Sequence, residues 1–136
     1  MCSPAYLSRL EISEPADLAR CTLLRNAWQP WAKWLRAAVV ALPEPVEGPE
    51  YTTELSIQAA MAGEGVLLGR GLLAADQLRA GTLIRPFRLA VAANYRYFLV
   101  QRMGPAVPQV DEFASWLRPK MADEAKAVAA DLTVLP

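Results

Sequence analysis

The chain is predicted to fold as an α/β protein, a mixed sheet flanked by helices, and three observations lead there. Residues 51–70 read as a strand ending at Thr52, a helix over 55–62 and a second strand over 66–68. Apolar or β-rich runs at 21–24, 83–87 and 95–100 read as further strands. Around them lie stretches whose apolar residues recur three and four positions apart, the spacing that gives a helix one buried face. Strands alternating with helices build a sheet covered by helical layers.

Taken in order, Cys2 lies on or just after a strand. Ser3 before Pro4 starts a short helix bearing Ala5, Tyr6, Leu7 and Leu10, since proline suits the first helical turn. A second short helix begins near Pro15 and carries Leu18, with Glu14 directly before the proline and Ser13 one residue earlier. After the strand at 21–24, Trp31, Trp34, Leu35 and Ala38 sit at i, i+3, i+4 and i+7. A ring-stacking platform is one reading of that stripe; core packing is preferred, because a buried helix face requires this spacing. Residues 42–50, with Pro43, Pro45, Gly48 and Pro49, form the clearest loop.

In the central unit Thr53 is the expected N-cap, its hydroxyl accepting from a backbone N–H that the helix leaves unpaired, and Glu54 complements the helix dipole. Ile57, Ala60 and Met61 share one face, and Gly63 suits the left-handed position after the helix. Val66-Leu67-Leu68 reads as a strand covered on both faces. Residues 72–80 form another helix ended by Gly81, 83–87 return as a strand, and 95–100 are a β-rich run interrupted by Arg96. Pro105 and Pro108 lead into a final helix with Val110, Phe113, Trp116 and Leu117 on one face. Arg118-Pro119 is expected to break it, leaving the alanine-rich residues 121–132 as a further helix.

Candidate binding residues gather at strand ends and at one helix start. Arg25 and Asn26 follow the strand at 21–24, and ligand sites in open α/β sheets collect at the carboxy ends of strands. Arg25 reads either as a partner for a carboxylate, by its bidentate geometry, or as a solvated arginine. The helix start at Thr52 and Thr53 offers unpaired N–H groups and two hydroxyls to an anion, or is an ordinary capped helix, and Glu54 would oppose an anion there. Trp28 falls outside the helical register of the other tryptophans and is a candidate to face a ligand cleft. Gly63-Glu64-Gly65 follows a helix and precedes a strand, the reverse of what a phosphate loop needs.

Several short segments carry a family likeness in their order and spacing. They are Cys2-Ser3-Pro4-Ala5-Tyr6-Leu7, Pro15-Ala16-Asp17-Leu18-Ala19-Arg20 and Trp31-Ala32-Lys33-Trp34-Leu35. After the central unit come Leu72-Leu73-Ala74-Ala75-Asp76-Gln77-Leu78, Gly81-Thr82-Leu83-Ile84-Arg85-Pro86-Phe87, Tyr95-Arg96-Tyr97-Phe98-Leu99-Val100 and Phe113-Ala114-Ser115-Trp116-Leu117. The chain resembles the effector-binding domain of LysR-type transcriptional regulators, in the branch related to the glycine-cleavage activator. That resemblance implies a Rossmann-like mixed sheet flanked by helices, one subdomain of a type 2 periplasmic-binding-protein-like fold. Residues 1–103 would be the second effector-binding subdomain with its crossover strands. Residues 104–136 would be the carboxy-terminal helical segment that packs on the first subdomain in the full-length family. It implies a carboxy-terminal fragment of a bacterial regulator, without the winged helix-turn-helix, and places the Thr52–Thr53 turn beside the effector cleft.

Composition narrows the function. An apolar share of 54% in 136 residues supports one core and argues against disorder. Fourteen basic and fourteen acidic residues cancel, so nothing in the charge calls for phosphate-backbone binding. DNA contact is expected only through the amino-terminal domain of a full-length regulator. No apolar run approaches the roughly 20 residues that span a bilayer, no signal peptide is read, and a cytoplasmic setting without membrane contact is expected. Cys2 and Cys21 form no Cys-x-x-Cys pair and the chain has no histidine, so reduced thiols are expected, with no metal site and no cofactor. No nucleophile elbow or catalytic cluster appears, and no enzymatic role is expected.

Effector-binding residues are expected to be Arg25, Asn26, Trp28, Thr52 and Thr53, taking a small molecule such as a small carboxylate or amino acid. With one cleft wall present, affinity is expected to be weak. The apolar face of the final helix predicts a homo-oligomer, a helix folded back onto its own sheet, or one exchanged between chains. An alternative function is a stand-alone interaction fragment that pairs with intact regulators or with itself.

Overall fold

The computed structural model describes residues 1–27, 30–43, 45–93, 95–105 and 107–135. Helix α1, Pro4–Leu10, is capped by Ser3, whose Oγ accepts from the Tyr6 N–H at 3.3 Å. It turns Tyr6 into the core, where the phenol oxygen accepts from the Thr22 N–H at 2.9 Å. The expected second helix is a 3₁₀ segment, Pro15–Arg20, that buries Leu18. In place of a serine or threonine cap, the Asp17 carboxylate accepts from the N–H groups of Ser13 and Glu14, at 2.8 and 3.0 Å.

Strand β1, Leu23–Leu24, is shorter than the run that predicts it. Helix α2, Trp31–Ala37, buries Trp31, Trp34 and Leu35, so the aromatic stripe is core. The two indoles meet edge to face, 6.1 Å between centroids, and both N–H groups donate to backbone oxygens, Trp31 to Leu24 at 3.0 Å and Trp34 to Leu89 at 3.3 Å. Buried indoles need such acceptors. Helix α3, Thr53–Met61, begins two residues earlier than expected and buries Ser56, Ile57, Ala59 and Ala60. Its N-cap is Thr52, which accepts from the Leu55 N–H at 3.4 Å; Thr53 occupies the first helical position instead. Gly63 follows in the left-handed region at φ +78°. Strand β2, Val66–Leu67, then pairs parallel to β1 in the register Leu23 to Val66 and Leu24 to Leu67.

Single backbone bridges widen this pair into a mixed sheet. Arg25 bridges Glu50 in parallel on one side, and Cys2 bridges Ile84 antiparallel on the other. Met1 joins the two parts, since its carbonyl accepts from the Leu67 N–H at 2.7 Å. The order is therefore residue 50, β1, β2, residues 1–2, residue 84. The expected strand at 83–87 is reduced to the Ile84 bridge. After β2 the chain forms a 3₁₀ turn, Gly71–Ala74, and helix α4, Ala75–Arg79, where one continuous helix is predicted.

The carboxy-terminal third departs most from the sequence reading. Strand β3 is Leu89–Val91, and it pairs parallel with β4, Thr133–Leu135. Described residues of the β-rich run 95–100 form no strand; Phe98 and Val100 are 80% and 85% exposed. β-propensity without a neighbouring strand to pair with does not make a strand. Helix α5 runs unbroken from Pro108 to Ala129, through Pro119. The lost N–H···O bond faces solvent, and the alanine-rich sequence beyond it favours helix strongly enough to continue. The first half of α5 leaves Phe113 and Trp116 more than half exposed, their rings 5.7 Å apart. Its second half folds back onto the Gly71–Ala74 turn of its own chain.

Candidate functional site

Because β1 and β2 run parallel, their carboxy ends open on the same edge of the sheet, and two cavities lie along it. The smaller, about 370 Å³, is lined by Arg25, Asn26, Pro30, Trp31, Val46 and Glu50. A larger one, about 430 Å³, is bounded among others by Trp34, Leu68, Arg70, Arg85, Phe87 and Val128. Pro30 and Trp31 belong to both walls and partition them.

At the smaller cavity Arg25 directly follows β1, held by the backbone bridge to Glu50, and the two side chains pair at 2.9 Å. The Arg25 and Glu50 side chains are 42% and 53% exposed. The arginine is therefore neither solvated alone nor an unclaimed anion partner. Asn26 is buried, and its Nδ2 donates to the Tyr51 carbonyl at 3.3 Å and to Thr53 Oγ1 at 3.2 Å. One side chain thus ties the end of β1 to the start of α3. The Thr52 hydroxyl oxygen is used as the helix cap and the Thr53 oxygen as an acceptor for Asn26. Neither threonine lines either cavity. Trp28 lies outside the described residues. Behind the site the Tyr51 hydroxyl donates to Glu64 at 3.0 Å, and that hydrogen bond raises the phenol above its ordinary value.

The larger cavity is mostly apolar and was not foreseen. Arg85, like Glu50, was missed in the sequence: its Nη1 donates to Asp131 at 3.3 Å, while its Nη2 is buried with no hydrogen-bond partner among the described residues. The available signal was a lone arginine inside an otherwise apolar run. Arg70 stacks over the rings of Tyr95 and Tyr97, 5.6 and 5.1 Å from their centroids.

Both thiols are raised above their ordinary values by burial, which favours the uncharged form, and Cys2 is packed in the core. Among the described residues no group of acidic or cysteine side chains is placed to hold a metal ion, and no helix is long and apolar enough to cross a membrane.

Comparisons to known proteins place the chain in a family. The LysR substrate binding domain matches residues 1–122. The chain is 31% identical over 128 residues to the HTH-type transcriptional regulator DsdC of Escherichia coli (strain K12), covering 87% of this chain and 41% of that protein. To the glycine cleavage system transcriptional activator of the same strain it is 29% identical over 131 residues, covering 91% and 42%. The chain spans about two fifths of the length of the curated relatives it matches. Among solved structures, the effector domain of the transcriptional regulator AmpR of Pseudomonas aeruginosa matches with a TM-score of 0.63 at 27% identity, over 93% of this chain and 61% of that one. The AmpR effector binding domain from Citrobacter freundii matches at 0.65 and 25%, over 90% and 62%. The fold is thus the periplasmic-binding-protein-like α/β class, and the chain belongs to the LysR substrate-binding domain family of transcriptional regulators.

Proposed function

We propose that this chain is part of the ligand-sensing module of a transcriptional regulator, and that its effector is a small amino acid held at Arg25, Asn26 and Glu50. One observation carries the reading: a half-exposed ion pair stands on the wall of a cavity at the carboxy edge of the parallel strands. An exposed pair of opposite charges contributes little to stability, but it is complementary to the carboxylate and ammonium of a zwitterion. Thr52 and Thr53 act behind it by fixing α3, to which Asn26 is tied, and Trp28 stands two residues beyond Asn26 in the same proposal. In a full-length regulator, a ligand preferring one arrangement of the module would shift the population of that arrangement, and DNA contact would come through a separate domain.

Calorimetric titration with glycine and other small α-amino acids tests this. Millimolar binding is expected, weakened at least tenfold by Arg25→Met and by Glu50→Gln. N-acetylglycine binding as well as glycine would count against the ammonium contact, and no heat from any amino acid would overturn the site.

A second reading, self-association or pairing with an intact regulator, is favoured by the exposed Phe113 and Trp116 on α5. Sedimentation equilibrium is expected to show a dimer that Phe113→Ser/Trp116→Ser dissociates. A wild-type chain that stays monomeric at concentrations on the order of 100 micromolar would exclude self-association, and failure to co-purify with an intact regulator would exclude the pairing.

A further inference from the structure

We propose that residues 123–135 are a displaceable cover on the larger cavity, and that the compartment beneath takes a compact apolar acid. This goes beyond the effector reading, which concerns the other cavity. The family match stops at residue 122, yet Ala125, Val128, Ala129 and Leu132 form one side of the cavity. That side lies beyond the residues the family model matches.

The cover is well fitted but weakly held. Val128 packs against Gly71 so closely that a Cβ there would lie 2.2 Å from Val128 Cγ1, so only glycine lets the helix approach. Two ion pairs, Arg79 with Glu124 and Arg85 with Asp131, pin the segment, and both involve partly exposed side chains. Its end is secured by β4 on β3, a two-stranded pair, and such pairs are marginal alone. None of residues 123–135 is buried; Glu124, Val128, Leu132 and Leu135 are only partly covered. Segments with few buried contacts open far more readily than the core.

Closure also leaves something unsatisfied. Arg85 Nη2 has no hydrogen-bond partner among the described residues, and a Cβ on Gly71 would lie 3.1 Å from it. Such a group is costly to keep dry, so opening is rewarded by hydration of the guanidinium. A ligand entering then meets the aromatic and aliphatic walls of Trp34, Phe87 and Leu89 and a released arginine, which an acid with an apolar body matches.

The same close approach supplies a test. A Cβ on Gly71 would stand 3.6 Å from Val128 Cβ, within the roughly 3.5–4.5 Å that a disulfide spans. In the full chain carrying Gly71→Cys and Val128→Cys, amide hydrogen exchange is followed with the new bond formed and reduced. The expected result is exchange in 123–135 at least tenfold faster after reduction, with α3 unchanged. Asp131→Asn, which needs no new cysteine, is expected to speed exchange in 123–135 alone. Exchange in 123–135 as slow as in α3 in the unmodified chain would show a fixed part of the core and overturn the cover. Millimolar phenylacetate is expected to speed exchange of 123–135 in the unmodified chain and not in the disulfide form, while phenylacetamide does neither. Equal effects of the two compounds, or none from the acid, would overturn the ligand class.

Discussion

Single side chains in this fold often serve two elements at once, and their substitution is expected to cost more than the local contact. Tyr6 packs in the core and gives the Thr22 N–H its acceptor. Tyr6→Phe keeps the packing and strands the donor, so a loss of about 1–3 kcal/mol is expected in urea denaturation. Leu83 is fully buried, and Leu83→Ala should destabilise by about 2–5 kcal/mol. Asp17 accepts from two backbone N–H groups and Arg20, and these hold its carboxyl well below the usual range. A carboxylate with a lowered folded pKa stabilises fully above its unfolded value, near 4, and loses that contribution as pH falls further. The expected observation is that Asp17→Asn flattens the fall in stability below about pH 4 and changes the slope little at neutral pH. Among the thiols, Cys21 is expected to be alkylated slowly at pH 8 and Cys2 only on unfolding, read by mass spectrometry.

At the scale of elements, what could be read from residues was whatever local chemistry decides. Ser3-Pro4 announced α1, the tryptophan spacing announced α2, and Gly63 announced the end of α3, because caps, periodicity and backbone handedness act within a few residues. The choice between Thr52 and Thr53 as cap was missed by one position; either hydroxyl suits the role, and Asn26 reaching from β1 claims the second. Thr52→Ala should therefore destabilise α3 by about 1 kcal/mol by thermal or denaturant unfolding. Pairing partners were not legible. Residues 95–100 have the composition of a strand and no neighbour, whereas β3 is formed because β4 arrives from beyond α5. The path of α5 through Pro119 is likewise a competition between one lost bond and a long favourable helix, which a rule about proline alone decides wrongly. Of the residues that line the two cavities, Arg25 and Asn26 could be picked out by their position after a strand, while Glu50, Arg85 and the larger cavity itself depend on folding that no short window records.

For the whole molecule, both sheets are assembled from distant pieces: in one, residue 2 bridges 84 and residue 25 bridges 50, and in the other β3 bonds β4 across the length of α5. Closing such loops costs entropy before any contact repays it, so topology of this kind slows folding. The β3–β4 pair spans the widest of these separations save the Cys2 bridge, yet lacks a third strand to reinforce it. On refolding from denaturant, its amides should be the last to gain protection in a pulse-labelling experiment. A transient species with a sealed centre and a trailing tail is then what a chaperone or a protease would meet first.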